Sequence, residues 1–208
     1  MRRARARNWN RRLAGVALGV ALGAALPVSA QSSTPRVVAW VGSGAWLPAD
    51  DVLSEIYGDP QWPLIVQGEV RIAGPVGLFA GVRRLARDGE TIAEAPGAAS
   101  PSFPVEFRTT SVRFGGIASG RVARVEIAVG IGAERLSGEE RWPSEDLSFD
   151  VTAWGVLAQG SLRVPVWEHL ALLGLIEYSW LTTQPDEPGL GPVDLGGITF
   201  GGGVALRF

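Results

Sequence analysis

The C-terminal segment of the chain alternates in polarity with a period of two. Every second position from 198 to 208 is apolar or small: Ile198, Phe200, Gly202, Val204, Leu206 and Phe208. The intervening positions carry Thr199, Gly201, Gly203, Ala205 and Arg207. Because successive side chains of a strand point to opposite faces, this alternation predicts a β-strand with one apolar face and one small or polar face.

The same alternation recurs along the chain and predicts eight strands. They lie at about residues 37–47, 63–73, 75–86, 103–118, 121–135, 148–164, 167–182 and 194–208. Short connections at residues 74–75, 119–120 and 165–166 alternate with long ones at 48–62, 87–102, 136–147 and 183–193. One rim of an up-and-down arrangement then has brief turns and the other has large loops, as in bacterial outer-membrane barrels.

Alternation alone does not say which face points inward, because a soluble lipocalin-like barrel has the same period. In the fifth predicted strand, a face with Val125, Val129 and Ile131 opposes one with Arg124 and Glu126. The polar faces of the strands are rich in small residues with single charges between them, and the chain contains no lysine. This composition favours an all-β, eight-stranded, antiparallel up-and-down transmembrane β-barrel, with a soluble periplasmic lipocalin-like binder as the alternative.

Aromatic residues fall near the predicted rims. Trp46, Trp62, Tyr178 and Trp180 lie near the long-loop rim, and Trp167 and Phe208 lie near the short-turn rim. Tryptophan and tyrosine are enriched at both membrane–water interfaces. We therefore predict two interfacial aromatic girdles.

Residues 1–30 have the pattern of a cleavable signal peptide. A basic stretch is followed by an apolar stretch to about Leu26 and by small residues that end at Ala30. We expect cleavage after Ala30, which leaves residues 31–208 as the barrel domain. An uncleaved anchor is the alternative, but the apolar stretch is shorter than the roughly 20 residues of a spanning helix.

Charge and cysteine content narrow the function classes. Six of the 19 basic residues lie in the signal segment, which leaves 13 arginines against 21 acidic residues, a net charge of about −8. No basic stripe remains, which argues against nucleic acid as a partner. Cysteine is absent, which excludes disulfides and thiolate metal sites.

Four segments carry a resemblance to a known family. They are Val38-Ala39-Trp40-Val41-Gly42, Ile56-Tyr57-Gly58, Gly77-Leu78-Phe79-Ala80-Gly81 and Gly201-Gly202-Gly203-Val204-Ala205-Leu206-Arg207-Phe208. Over about residues 36–208 the chain resembles the OmpA-like and OmpX-like small outer-membrane β-barrel proteins. The resemblance implies recognition of the C-terminal strand by the barrel-assembly machinery, here through Phe200, Val204, Leu206 and Phe208. We expect an outer-membrane protein of a Gram-negative-type cell, with a structural or loop-mediated binding or adhesion role.

Single charges interrupt the polar faces of the predicted strands. If these faces point inward, the lumen contains Glu69, Arg71, Arg83, Arg113, Arg124, Glu126, Arg163, Glu177 and Arg207. An eight-stranded barrel is only wide enough to be filled by its own side chains, and buried charges must be paired and hydrogen-bonded. We therefore predict a structural network of arginine–carboxylate pairs, with a small-solute or ion channel gated by the same pairs as the alternative.

Catalysis would need a nucleophile and a base. The single histidine, His169, lies at the start of the seventh predicted strand. Some eight-stranded outer-membrane barrels acylate or deacylate lipid A with a serine and a histidine at the membrane face. No His-x-Ser motif occurs here, since Ala171 lies two positions after His169. We predict that the protein is not an enzyme, with lipid A modification as the alternative.

Acidic residues cluster in the predicted loops: Asp50, Asp51, Glu55, Asp59, Glu139, Glu140, Glu145, Asp146, Asp186 and Glu187. Their spacing matches no EF-hand loop. We expect solvated loop acids, no metal site and no cofactor. Outer-membrane lipid and lipopolysaccharide are expected partners, and binding of lipopolysaccharide through divalent cations, or of a protein, is the alternative role for these acids.

Overall fold

Eight strands close into a ring in the computed structural model, which describes residues 36–92, 102–183 and 193–208. The strands are β1 (Val37–Pro48), β2 (Leu64–Ala73), β3 (Val76–Ile92), β4 (Ser102–Val122), β5 (Val125–Trp142), β6 (Leu147–Pro165), β7 (Leu170–Thr182) and β8 (Gly197–Arg207). Each pairs antiparallel with its sequence neighbours, and β8 closes the barrel against β1. The predicted fold class is confirmed. The expected signal peptide, residues 1–30, lies outside the described residues.

The barrel is apolar outside and charged inside. Ile131 is 62% exposed on the exterior, whereas Glu126 on the same strand is 1% exposed in the lumen. The other strands follow the same rule, with exposed outward side chains that include Leu64, Val66, Val70, Leu78, Val112, Phe114, Val156, Leu162, Leu172 and Ile176. This polarity is that of a membrane barrel and is the opposite of what a soluble lipocalin-like binder requires.

The turns at the short-turn end differ from the prediction in two of three cases. The β6–β7 connection spans residues 166–169 and not 165–166, so His169 lies in this connection and not at the start of β7. The β2–β3 turn is at residues 74–75, as expected. The β4–β5 turn lies at residues 123–124 and not at 119–120, because β4 continues in regular pairing to Val122. Ala123 completes this turn with a positive φ of 53°.

Four strands continue beyond the barrel at the long-loop end. β3, β4, β5 and β6 contain 17, 21, 18 and 19 residues, although about 9–11 residues suffice to cross an apolar layer. Their outer parts pair with one another as a four-stranded sheet, which we call the projecting sheet. The long loop predicted at residues 136–147 is therefore wrong: these residues form a hairpin with its turn at residues 143–146. Residues 93–101 and 184–192 lie outside the described residues.

A short helix, α1 (Asp51–Tyr57), follows β1 and packs against the inner side of this sheet. Leu53 and Tyr57 are buried on it, and the Tyr57 ring stacks on Phe107 with centroids 5.1 Å apart. Together with residues of the barrel they form what we call the apolar plug: Trp46, Leu53, Tyr57, Leu85, Val105, Phe107, Leu136, Ala153, Leu181 and Leu195. No helix in the described part of the chain is long and apolar enough to cross a membrane.

Trp46 belongs to this plug and not to the girdle that the sequence predicted. It is 3% exposed, because inward side chains of β1 occupy even positions, as Trp40 and Val38 also do. The other rim aromatics are at least partly exposed: Trp62, Tyr178 and Trp180 at the long-loop end, and Trp167 and Phe208 at the short-turn end.

Phe79 fills the middle of the lumen against two glycines. Gly115 and Gly132 are cross-strand partners of β4 and β5, and a Cβ added to either would lie 2.8 Å from the Phe79 ring. A larger residue at these positions would have to displace the ring or the backbone. Phe79 packs there with Ile117, Ala128 and Leu157.

We predict that Gly132→Ala lowers the free energy of unfolding by about 1–3 kcal/mol, because the added methyl group clashes with the β4 backbone at Phe114 and overpacks the lumen beside Phe79. Gly116→Ala is the matched control, since its Cβ would point outward and meet no atom within 4 Å. Urea unfolding followed by the mobility of the folded barrel on unheated gels measures both. Equal stability of the two variants would contradict the packing described.

Candidate functional site

The charged side chains of the lumen form two clusters. The lower ion cluster, nearer the short-turn end, consists of Glu69, Glu126, Arg163 and Arg207. Arg163 lies between the two carboxylates: its guanidinium binds Glu69 and donates to Glu126 Oε1 at 3.1 Å. Arg207 approaches the other oxygen of Glu126 at 3.8 Å. Two positive charges thus face two negative charges.

Neutral side chains make further hydrogen bonds to the lower ion cluster. Trp40 Nε1 donates to Glu69 Oε1 at 2.9 Å, and Gln67 Nε2 donates to the same oxygen at 3.2 Å. Arg163 also donates to Ser161 Oγ at 3.3 Å. Buried carboxylates are tolerated only with partners of this kind.

The upper ion cluster lies closer to the apolar plug and consists of Arg83, Arg113, Glu134 and Glu177. Arg113 binds Glu177, and Arg83 bridges Glu134 at 3.1 Å and Glu177 at 3.8 Å. The Arg83 guanidinium carbon also lies 5.5 Å from the centre of the Trp46 ring. This cation–π contact joins the charged part of the lumen to the apolar plug.

Seven of the nine predicted lumen charges belong to the two ion clusters, and Arg71 and Arg124 do not. Arg71, at the short-turn mouth, donates to Ser119 Oγ at 3.0 Å. Arg124 is exposed in the β4–β5 turn, so its assignment to the lumen is wrong. The predicted turn at 119–120 started β5 too early and drew residue 124 into the strand.

Glu134 is the lumen residue that the sequence interpretation missed. It is fully buried and pairs with Arg83. Its even number on β5 gives it the same face as Glu126 and Ala128, so continuing the alternation to the end of that strand would have found it.

In the described residues the barrel is open at its short-turn mouth and closed above it. An open cavity of about 470 Å³ lies at that mouth, lined by Arg121, Arg124, Trp167 and Arg207 among others. The apolar plug closes the long-loop end of the barrel, and the voids beside the lower ion cluster and beneath the plug measure about 10 Å³ each. A single water occupies about that volume. The side chains therefore fill the barrel, as expected for eight strands.

Two titratable side chains outside the lumen, Tyr57 and His169, bear on possible chemistry. Burial, reinforced by the charge of Glu140, raises the pKa of Tyr57 well above its usual range, so this phenol stays neutral. His169 lies in the β6–β7 connection, where its Nδ1 is 3.0 Å from the Arg207 carbonyl oxygen and its ring stacks on Phe208. Within the described residues no group of three or more His, Cys, Asp or Glu side chains is arranged to hold a metal ion. Asp186 and Glu187 lie outside the described residues.

The predicted assembly residues share one face of β8. Phe200, Val204, Leu206 and Phe208 are all exposed on the exterior of the barrel. Backbone hydrogen bonds between Phe208 and Val37, at 2.9 and 3.1 Å, complete the seam with β1.

Known structures of the same architecture match this chain. Neisserial surface protein A superposes with a TM-score of 0.58 at 11% sequence identity, over 83% of this chain and 96% of that protein. A major outer membrane protein from Thermus thermophilus superposes with a TM-score of 0.53 at 14% identity, over 83% of this chain and 98% of that protein. No family model and no curated protein sequence matches the chain. The chain has the fold of these small bacterial barrels, and this fold and the apolar exterior agree with the expected outer-membrane location.

We predict that Arg163→Met lowers the free energy of unfolding by about 3–5 kcal/mol, because it leaves the Glu69 and Glu126 carboxylates buried without their main partner. Adding Glu69→Gln to the same chain should restore much of this loss, because it leaves Arg207 and Glu126 as a balanced pair. Urea unfolding of the three proteins in detergent, followed by tryptophan fluorescence, measures the difference. A single variant as stable as the parent would show that the lower ion cluster does not hold the lumen together.

Proposed function

We propose that this protein is an integral outer-membrane barrel whose role is structural or based on binding and adhesion by its projecting part, and that it neither conducts solutes nor catalyses a reaction. The observation that carries the proposal is the combination of a filled lumen with a well-packed sheet that extends far beyond the apolar layer. Strands β3 to β6 contain 17–21 residues, far more than the roughly 9–11 that cross the bilayer, and an anchor alone needs no such extension.

The filled lumen argues against a channel. A solute would have to pass the lower ion cluster, the upper ion cluster and the apolar plug in turn. Separating a buried pair such as Arg163 and Glu126 exposes charge in a medium that solvates it poorly, which costs several kcal/mol. The apolar plug adds a second barrier of a different kind, since its side chains offer no polar partner to an ion.

The surroundings of His169 argue against catalysis. Its ring is held between the Arg207 carbonyl oxygen and the Phe208 ring, and no serine lies beside it in the β6–β7 connection. A general base needs a nucleophile within hydrogen-bond distance. We assign His169 to packing at the barrel seam.

The projecting sheet is the best candidate for a binding surface. Its inner face is covered by α1 and the apolar plug, so its outer face is held by a packed core. Rigid elements present binding residues more precisely than free loops do. We include in the proposal that the exposed apolar face of β8 is the segment recognised by the assembly machinery.

Membrane residence and conduction are tested together. After expression in a Gram-negative host, we expect the protein in the outer-membrane fraction, with a gel mobility that changes on heating because the closed barrel resists detergent until it is unfolded. Purified protein in planar bilayers should give no steady conductance. Recovery in the soluble periplasmic fraction would overturn the membrane proposal, and a steady conductance would overturn the sealed lumen.

The binding role is tested by shortening the hairpin of β5 and β6. Ser137 and Thr152 are register partners, so replacing residues 138–151 by an Asn-Gly turn closes the hairpin without changing the pairing below it. We expect the variant to keep its heat-modifiable migration and to lose attachment of expressing cells to polystyrene and to one another. Unchanged attachment would assign the protein a structural role alone.

A further inference from the structure

We call the band of exposed apolar side chains around the barrel, which includes Val82, Phe114, Ile131 and Val156, the apolar belt. We propose that the outer face of β3 to β6, at the long-loop end of this belt, binds the phosphorylated disaccharide of lipid A, with Arg84 and Arg135 as the phosphate ligands. This inference rests on the membrane placement proposed above. It concerns the lipid-facing wall of the barrel, which is distinct from the lumen and from the acidic loops.

Register pairing locates the two arginines at the boundary between the apolar and polar parts of the wall. Arg135 is paired with Val112 and Trp154, and Arg84 lies one outward row higher, paired with Thr110. The segment of β5 from Val125 to Arg135 has about the length that crosses an apolar layer. Below the arginines the exposed outward side chains are apolar: Val82, Phe114, Ile131 and Val156.

The two guanidinium groups are available to an external anion. Neither Arg84 nor Arg135 forms a salt bridge with any described carboxylate, whereas Arg108 on the same face binds Glu106 at 2.9 Å. Arg135 stacks over the exposed Trp154 ring with its guanidinium carbon 5.6 Å from the ring centre. Stacking occupies the flat face of a guanidinium and leaves its N–H edge free to bind a phosphate.

The row of hydroxylated side chains beside Arg84 can form hydrogen bonds with a sugar. Thr110, Ser137 and Thr152 continue this row across β4, β5 and β6, and all three are exposed. Their hydroxyl groups can donate to and accept from saccharide oxygens. Arg84 and Arg135 lie on strands separated by β4, so they are about 10 Å apart across the sheet, a spacing that two phosphates on one disaccharide can span.

The opposite side of the barrel has no such group. At the same end of the apolar belt, the outward side chains of β1, β2, β7 and β8 in the described residues carry no charge. Leu47, Leu64 and Trp180 are apolar or aromatic, and Ser43 and Thr182 are hydroxylated. The wall therefore offers one amphiphilic patch, basic and hydroxylated above and apolar below. A lipid with several acyl chains and an anionic sugar head matches both halves, whereas a glycerophospholipid offers a single phosphate and no disaccharide.

The arginines make binding independent of divalent cations. Glu139 and Asp150 lie in the next outward row and repel phosphate, so a lipid held only through them would need bridging cations. A lipid held by Arg84 and Arg135 would not. Chelation of divalent cations therefore separates the two modes of binding.

The test is titration of diphosphoryl lipid A into the purified barrel in dodecyl maltoside micelles with excess EDTA, followed by calorimetry. We expect the double variant Arg84→Gln/Arg135→Gln to bind at least about tenfold more weakly than the parent, since each substitution removes charge-assisted hydrogen bonds. Arg141→Gln is the matched control, because Arg141 is an exposed outward arginine of β5 far above the apolar belt, and it should leave the affinity unchanged. Monophosphoryl lipid A should bind the parent with intermediate affinity.

Three results would overturn the proposal: equal affinity of the parent and the double variant, an equal loss in Arg141→Gln, or equal binding of phosphatidylglycerol and lipid A by the parent. Heat-modifiable migration of every variant shows that the barrel is intact, so a loss of affinity is not a loss of fold. Failure of membrane fractionation would reject the proposed function, whereas failure of these titrations in a membrane-resident barrel would reject the lipid A site alone.

Discussion

Closure of β8 onto β1 is the constraint on which the rest of the structure depends. Lipid supplies no hydrogen-bond partner to a strand edge, so a sheet that crosses a bilayer must pair every edge with itself. Here the seam runs from Val38 against Arg207 to Pro48 against Gly197 without interruption. Closing eight strands leaves a lumen just wide enough for side chains to fill. Every inward residue must therefore find its partner within the ring.

The inward side chains are of two kinds along the barrel axis. Where the exterior faces lipid, the interior is polar, and two arginine–glutamate clusters balance their own charge. Where β3 to β6 continue past the lipid, the exterior becomes charged and the interior becomes apolar, as in a soluble protein. Arg83 stacks on Trp46 where the two interiors meet. At the long-loop end of the apolar belt, the interior thus changes from polar to apolar and the exterior changes from apolar to charged.

The predictions and their errors have a common physical origin. Alternation assigned nearly every inward and outward residue correctly, because the side-chain period of a strand is two wherever the strand is regular. Errors arose at strand ends. Starting β5 too early drew Arg124 into the lumen, and ending it at residue 135 made residues 136–147 a predicted loop. Glu134 lies inside the predicted strand, and it was missed because the alternation was not followed to the end of that strand. Trp46 lies near the rim in sequence, but its even position on β1 turns it into the lumen.

The sequence by itself determined the number of strands, the face of most side chains within the regular parts of the strands and the choice of an apolar exterior. These properties are local, since they follow from periodicity and turn chemistry within a few residues. The tertiary structure decided the partners of Arg163, which lie 94 and 37 positions away in Glu69 and Glu126. It also decided that α1 folds back to cap the lumen, and that Arg84 and Arg135 share one patch of the wall. Which distant residues meet depends on the stagger of strands around a closed ring, and that stagger is a property of the whole barrel.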